Sequence, residues 1–353
     1  MNNKFFAEKV IRWYQYQHRD LAWRHTRDPY YIWLSEVILQ QTRIAQGLPY
    51  YERFVKTYPT VFDLASAPEQ DVIRLWQGLG YYSRARNLHQ TAKYIAQELN
   101  GKFPETYAQL LKLKGIGPYT AAAIASFAYD EAVAVVDGNV YRVLARVFGI
   151  ETDIGSTQGQ KQFAQLANEL IPHDQPATYN QAIMEFGAVH CTPVSPDCLL
   201  CPLQAECQAN AKGRVNKLPV KLKKTKVRER FFNYFVIIQN DSVAMRQRTD
   251  RDVWQQLYDF HLIETKEIIS SLDELPGLLT LMPILSKTIV TAPARIYTHI
   301  LSHQRIQAQF WVLQIPHGEV VELPEKMTFL THEEIENVPK PVLITSYWKE
   351  QFF

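Results

Sequence analysis

The segment Cys191–Cys207, CTPVSPDCLLCPLQAEC, contains all four cysteines of a 353-residue chain, spaced C-x6-C-x2-C-x5-C. Four thiols on one short loop can converge on a single soft metal centre. Pro193, Pro196 and Pro202 keep the loop from continuing as a helix. Four unrelated buried thiols are not expected at this density. The N-terminus, MNNKFFAEKVIRWYQYQ, has no uninterrupted apolar core of the secretory kind, and no run approaches a membrane span. A cytoplasmic, reducing compartment is therefore expected, and disulfides are disfavoured. The spacing favours an iron–sulfur cluster. Zinc, which accepts four thiolates but usually between two C-x2-C knuckles, stays open as the alternative.

The chain is long enough for two domains, each with its own core. Lys and Arg number 38 against 36 Asp and Glu, so the net charge is +2 and any basic surface must be local. The first 210 or so residues carry helical periodicity, with Val72–Gln77, Ser83–Leu99, Val140–Phe148 and Gln158–Leu170 as examples. Residues 212–230, KGRVNKLPVKLKKTKVRER, hold nine Lys or Arg and one Glu. They suggest an interdomain linker able to touch a polyanion, although such runs are more often solvated tethers. Then comes RFFNYFVIIQND, in which both alternating faces are apolar. It predicts a central strand leading into a hairpin at Asn240-Asp241. Arg305–Gln314 is a second strand candidate. The expected divisions are a helical domain over 1–210, a basic linker over 211–230 and a smaller α+β domain over 231–353.

In LLKLKGIGPYTAAA, Gly115-Ile116-Gly117 makes a tight turn and Pro118 suits the first position of a helix. Such a turn can aim backbone N–H groups at a DNA phosphate, though a plain interhelical turn is the commoner meaning. Downstream, the apolar run Ala132–Val136 stops at Asp137-Gly138-Asn139. Asp137 is expected to cap the next helix and to stay ionised with the help of its N–H groups. A second carboxylate, Glu36, lies in DPYYIWLSEVILQQTRI, a helix opened by Pro29 after Asp28. Its neighbours Trp33, Val37 and Leu39 are large and apolar, and Gln40 is expected one turn on along the same face. A solvated surface Glu is the bland alternative. An apolar setting would raise its pKa and suit it to donate a proton.

Together these stretches resemble the MutY-type adenine DNA glycosylases of base excision repair. The likeness rests on LAWRHTRDPYYIWLSEVILQQT, QGLGYYSRARNLH, LKGIGPYTAAAI, VVDGNVYRVLAR, IMEFGAVHC and the cysteine loop. It implies an all-α helix-hairpin-helix glycosylase domain with a [4Fe–4S] loop on Cys191, Cys198, Cys201 and Cys207, followed by a C-terminal α+β Nudix-like domain. The cluster would brace a basic segment against DNA. The implied reaction is hydrolysis of the N-glycosidic bond of adenine opposite 8-oxoguanine or guanine. Glu36 would protonate the base and Asp137 would stabilise the sugar cation, with Tyr119 and Asn139 orienting them. Trp23, Arg24 and Glu185 fall in stretches that line the adenine pocket, and Gly115 and Gly117 in the turn that holds DNA. Tyr81 matches an aromatic that wedges beside 8-oxoguanine, and Gln41 a residue at the orphaned base.

Related glycosylase/lyases of the endonuclease III type carry a lysine where Tyr119 stands, so a monofunctional enzyme is implied. The C-terminal region resembles the Nudix-like domain that recognises 8-oxoguanine, without the glutamate-rich catalytic box. The family's Phe-Ser-His becomes Leu301, Ser302, His303, and WQQLYDF lacks a glycine common before Leu-Tyr. Duplex DNA is the implied partner, bound by a monomer. An endonuclease III-like lyase and a silent damage-binding scaffold are the rivals.

Overall fold

The structure, a computed structural model, describes residues 3–222, 226–276, 281–324 and 326–352. The chain divides into two compact units, residues 1–66 with 87–223 and residues 67–86 with 224–353.

The first unit is helical. At its centre lies the Pro29–Ile38 helix, capped by Asp28, whose side chain accepts from the Tyr30 N–H at 2.8 Å. Eight of its ten residues are buried, Ser35 and Glu36 among them, so it is enclosed on nearly all sides. It packs on the Pro118–Tyr129 helix, whose run Ala121-Ala122-Ala123 lets the two backbones approach. The helix stops at Ile38, so Gln40 lies beyond its end and not on the Glu36 face as the sequence predicts. There Gln40 donates to the Thr120 hydroxyl at 3.1 Å. Helix Gly138–Phe148 begins at Asp137 and ends at Gly149, whose φ of 67° suits a left-handed cap. Val140, Val143, Leu144 and Val147 place its apolar face in a core with Phe6, Val10, Trp13, Phe163, Tyr179 and Phe186. Each large apolar side chain buried this fully contributes roughly 1.5–3 kcal/mol.

The second unit is built on a mixed eight-stranded sheet. Its strands are β1 (Arg228–Gln239), β2 (Ser242–Gln247), β3 (Tyr258–Asp259), β4 (His261–Thr265), β5 (Ile289–Thr291), β6 (Tyr297–Ile300), β7 (Gln304–Ile315) and β8 (Met327–Thr331). β1 runs antiparallel to β2 and β4, and parallel to β7 along its whole length. It is the central strand foreseen, and the hairpin turns at Asn240 with φ of 51°. One face carries Phe235 and Ile237 into a core with Trp311 and Leu313. The other stacks Tyr234 on Phe310 and Phe310 on Tyr347 of the Val342–Phe352 helix, at ring separations of 5.2 and 3.8 Å. Both faces are covered, as the doubly apolar sequence requires. The Glu69–Leu75 helix and the turn after it also belong to this unit, and that helix ends two residues before the Gln77 expected from the pattern.

The basic stretch 211–230 is no loose tether where it is described. Leu218 is buried, and the Val220 carbonyl accepts from the Ile154 N–H at 3.0 Å. Arg230 is buried inside β1 between Asp252 and Glu264, at 2.8 and 2.6 Å. Residues 223–225 of the stretch lie outside the described residues.

Candidate active site and cysteine loop

Glu36 is buried, and the Tyr119 hydroxyl hydrogen-bonds its carboxyl. Burial raises its pKa from 4.5 to about 7, and the nearby Asp137 charge adds to the rise, against the Tyr119 bond and Arg24. Glu36 lines a pocket of about 350 Å³ together with Trp23, Arg24, Ser35, Phe127 and Met184 among others. Tyr119 is driven far above its usual 10 by burial and by both carboxylates, so it stays a phenol and a donor.

Asp137 is the helix cap foreseen. Its Oδ1 accepts from the N–H groups of Asn139 and Val140 at 2.9 and 2.8 Å, and its Oδ2 from Asn139 Nδ2 at 2.7 Å. Three donors aimed at one carboxyl suit the anion. Burial is the larger influence, however, and leaves the pKa above the ordinary 3.8, a stronger desolvation than the capping argument anticipates. Asn139 thus holds the carboxylate directly, and Gly187 makes room for it. A Cβ at Gly187 would lie 2.7 Å from Asn139 Cβ.

Trp23 lines the pocket and is buried edge-on to Tyr51 at 5.4 Å, whereas Glu185 is not among the lining residues and meets the pocket through Arg24. Glu185 is sealed from solvent and gripped by Arg24 Nη2 at 2.7 Å and by Arg19 through Nε and Nη2, both at 2.7 Å. Burial alone would raise its pKa, but the two guanidiniums and the Arg19 N–H hold it down to about 2.

Arg19 is a residue the sequence reading missed. So are Arg142 and Arg146, buried one turn apart in an apolar helix. Two guanidiniums at i and i+4 inside such a face are a legible signal, because each needs several buried acceptors. Arg142 donates to Asn139 Oδ1, Gly187 O and Cys191 O at 2.8, 2.6 and 2.8 Å. Arg146 donates to the carbonyls of Thr192, Pro193, Val215 and Leu218 between 2.7 and 3.1 Å.

Gly115 takes φ of 75°, and a Cβ there would strike Asn87 at 2.6 Å, so glycine is required. At Gly117 a Cβ would meet nothing within 4 Å, and no side chain caps the helix that starts at Pro118. That helix end is open to a ligand anion. Gln41 is exposed, with φ of 57°. In the second unit Tyr81 is exposed at the tip of its turn. Ser302 and His303 are exposed at the β6–β7 turn, with Ser302 Oγ 3.0 Å from His303 Nδ1.

The four cysteines are free thiols that line one cavity enclosing about 370 Å³. Among the described residues, no three His, Cys, Asp or Glu side chains are arranged to hold a single metal ion. Four thiols around one cavity are the donor set that an iron–sulfur cluster takes. Backbone N–H groups of Leu203, Asn210 and Ala209 reach Cys201 and Cys207, and Arg146 Nη1 lies 3.4 Å from Cys191 Sγ. These donors favour thiolates. Without a metal, burial pushes the Cys201 thiol up to about 12.

An open helical hairpin, a buried acid beside a carboxyl cap and a cysteine cavity define a helix-hairpin-helix DNA glycosylase. Residues 34–173 match the HhH-GPD superfamily of base excision DNA repair proteins, and residues 233–350 match the NUDIX domain. The adenine DNA glycosylase of Buchnera aphidicola subsp. Baizongia pistaciae is 33% identical over 273 residues, 76% of this chain and 77% of that protein. The Homo sapiens adenine DNA glycosylase is 44% identical over 222 residues, 60% of this chain and 41% of that one. A thermostable thymine-DNA glycosylase superposes with a TM-score of 0.56 at 29% identity, over 60% of this chain and 97% of that one. A non-covalent endonuclease III–DNA complex shares the fold at a TM-score of 0.51 and 24% identity, over 59% of this chain and 95% of that one. The chain belongs to the adenine DNA glycosylase family. No helix among the described residues is long and apolar enough to cross a membrane.

Proposed function

We propose that this chain removes adenine mispaired with 8-oxoguanine or guanine in duplex DNA, by hydrolysis and without cutting the strand. The observation that carries this reading is the buried Glu36, its pKa raised to about 7, beside the Asp137 carboxyl and a pocket of about 350 Å³. A pKa raised to about 7 keeps a share of Glu36 protonated at neutral pH, the condition a general acid needs. Its proton goes to adenine N7. The N-glycosidic bond then breaks with its electron pair leaving on the base. The sugar cation is stabilised by the Asp137 charge or trapped briefly as its ester. Water adds at C1′ and returns a proton to Glu36. Tyr119 and Asn139 hold the two carboxyls through the bonds described.

Trp23 and Arg24 line the adenine end of the pocket, with Glu185 behind Arg24. Arg24 connects the two halves, since it pairs with Glu185 and its charge lowers the Glu36 pKa. Extruding adenine costs a few kcal/mol, less from a mispair. Gly115 and Gly117 take a phosphate, Gln41 and Tyr81 take the gap and the opposite base, and Ser302 with His303 read 8-oxoguanine. The absence of an amine at Tyr119 supports a monofunctional enzyme over a lyase. A [4Fe–4S] cluster on Cys191, Cys198, Cys201 and Cys207 is supported by their shared cavity and by the donors around it. Held there it would brace the loop against Arg146. A monomer in the cytoplasm, at the DNA, completes the proposal.

The test is a single-turnover assay on duplex with adenine opposite 8-oxoguanine, read with and without alkali. Breakage only after alkali is expected. Breakage without alkali would indicate a lyase, and binding without base loss a scaffold. Iron and sulfide in equal, roughly fourfold amounts per chain would support the cluster. Stoichiometric zinc would refute it.

A further inference from the structure

Residues 67–86 lie in the helical half of the sequence, yet they belong to the unit that carries the β-sheet. The turn bearing Tyr81 is among them. Gly78, Gly80 and Tyr81 all have positive φ, of 102°, 73° and 49°. Trp76 Nε1 donates to the Gly80 carbonyl at 3.0 Å, and Arg84 stacks over both Trp76 and Tyr81.

Both shoulders of this turn are fastened to C-terminal residues of the same unit. On one side, Gln77 Oε1 accepts from the Lys340 N–H at 3.0 Å and its Nε2 donates to Thr345 Oγ1 at 3.3 Å. On the other, Arg86 Nη1 donates to the Gln255 carbonyl at 2.8 Å and Nη2 to its side-chain oxygen at 3.4 Å. Gln255 is presented by a strained turn. Its neighbours Trp254 and Gln256 have φ of 62° and 72°. A non-glycine residue in this region is strained, so the surroundings must enforce the conformation. They do so here: Gln247 Nε2 donates to the Gln256 carbonyl and side chain at 3.1 and 2.9 Å, and Trp254 is buried against Phe232 and His299.

We propose that Gln77 and Arg86 are specificity-determining positioning residues: they mount the Tyr81 turn on the unit that carries Ser302 and His303. One body then presents the wedge and the recognition turn together. The base opposite adenine is read by this body, and adenine is excised by the helical unit. The inference rests on the reading of Tyr81 as the wedge.

The test uses the full chain with Q77A, R86A, their double variant, R86K and Y81A. Three quantities are read: single-turnover rates on A:8-oxoguanine and on A:G, the fluorescence of 2-aminopurine placed beside the lesion, and the thermal midpoint. In the double variant the ratio of the two rates falls about tenfold, the effect of one or two lost hydrogen bonds. Its A:G rate stays within about twofold of wild type, and the fluorescence rise that reports unstacking is lost. R86K recovers part of the ratio, because one ammonium can still reach the Gln255 carbonyl. A ratio unchanged in the double variant but reduced in Y81A overturns the mount and leaves the wedge standing. A parallel loss of both rates with the midpoint makes the contacts merely structural and also overturns it. If Y81A itself leaves the ratio unchanged, the wedge reading fails and the inference with it.

Discussion

Glu36 and Glu185 are both buried carboxyls near one pocket, yet one is held near pH 7 and the other near 2. Burial pushes both upward. The difference lies in partners. Glu36 has a phenol and a repelling carboxylate for company, whereas Glu185 is clamped by two guanidiniums and a backbone N–H. Desolvation alone therefore does not make an acid. The site becomes one where desolvation is left uncompensated, and a fixed anion where it is overcompensated.

The severest way to break this comparison is E36Q, which keeps the shape and removes the proton. The single-turnover rate should fall at least ~10²-fold with duplex affinity retained. A near wild-type rate would mean that the acid is another residue. The same variant should gain thermal stability at pH 8. The folded pKa of Glu36 lies above the unfolded one, so its favourable contribution is complete below about 4.5 and fades as pH rises through about 7. No gain at pH 8 would remove the pKa argument.

D137N should cost about 10²-fold, since the cap bonds survive but the charge facing the sugar cation is gone. E185Q acts in the opposite sense to E36Q. It should destabilise the protein by on the order of 3 kcal/mol at neutral pH, because two guanidiniums lose their buried partner. That contribution of Glu185 is present above about pH 4.5 and fades as pH falls toward 2, so the loss in E185Q should shrink in acid. A midpoint difference independent of pH would contradict this. In wild type, the rate on A:8-oxoguanine should fall about tenfold per pH unit once pH exceeds about 7. Y119F has the smallest expected effect, a loss of about fivefold, with a distinctive sign. Removing a bond that lowers the Glu36 pKa should move the alkaline limb to higher pH. A limb that moves down would show that Tyr119 stabilises the protonated acid instead.

Much of the site was legible because its residues are contiguous with punctuation. Asp137 precedes a Gly-Asn that opens a helix, Gly115 and Gly117 bracket a turn, and the cysteines are gathered in one loop. Such signals act within a few residues, where backbone sterics and capping decide the outcome. Arg19 escaped because its meaning depends on Glu185, 166 positions away, and nothing near it in sequence marks the clamp. Gln40 was misplaced because the end of the Pro29–Ile38 helix is set by packing, with no Gly or Pro to announce it.

By itself the sequence determined a helical glycosylase half, a two-faced strand that must lie inside a sheet, the cap at Asp137 and a loop that gathers all four thiols. It could do so because periodicity, capping and thiol density are local properties of the chain. Only the tertiary structure decided that Glu36 titrates near neutrality while Glu185 does not, and that the Tyr81 turn rides with the C-terminal unit. Those outcomes depend on which distant groups arrive beside a side chain, and electrostatics and hydrogen bonding act through space.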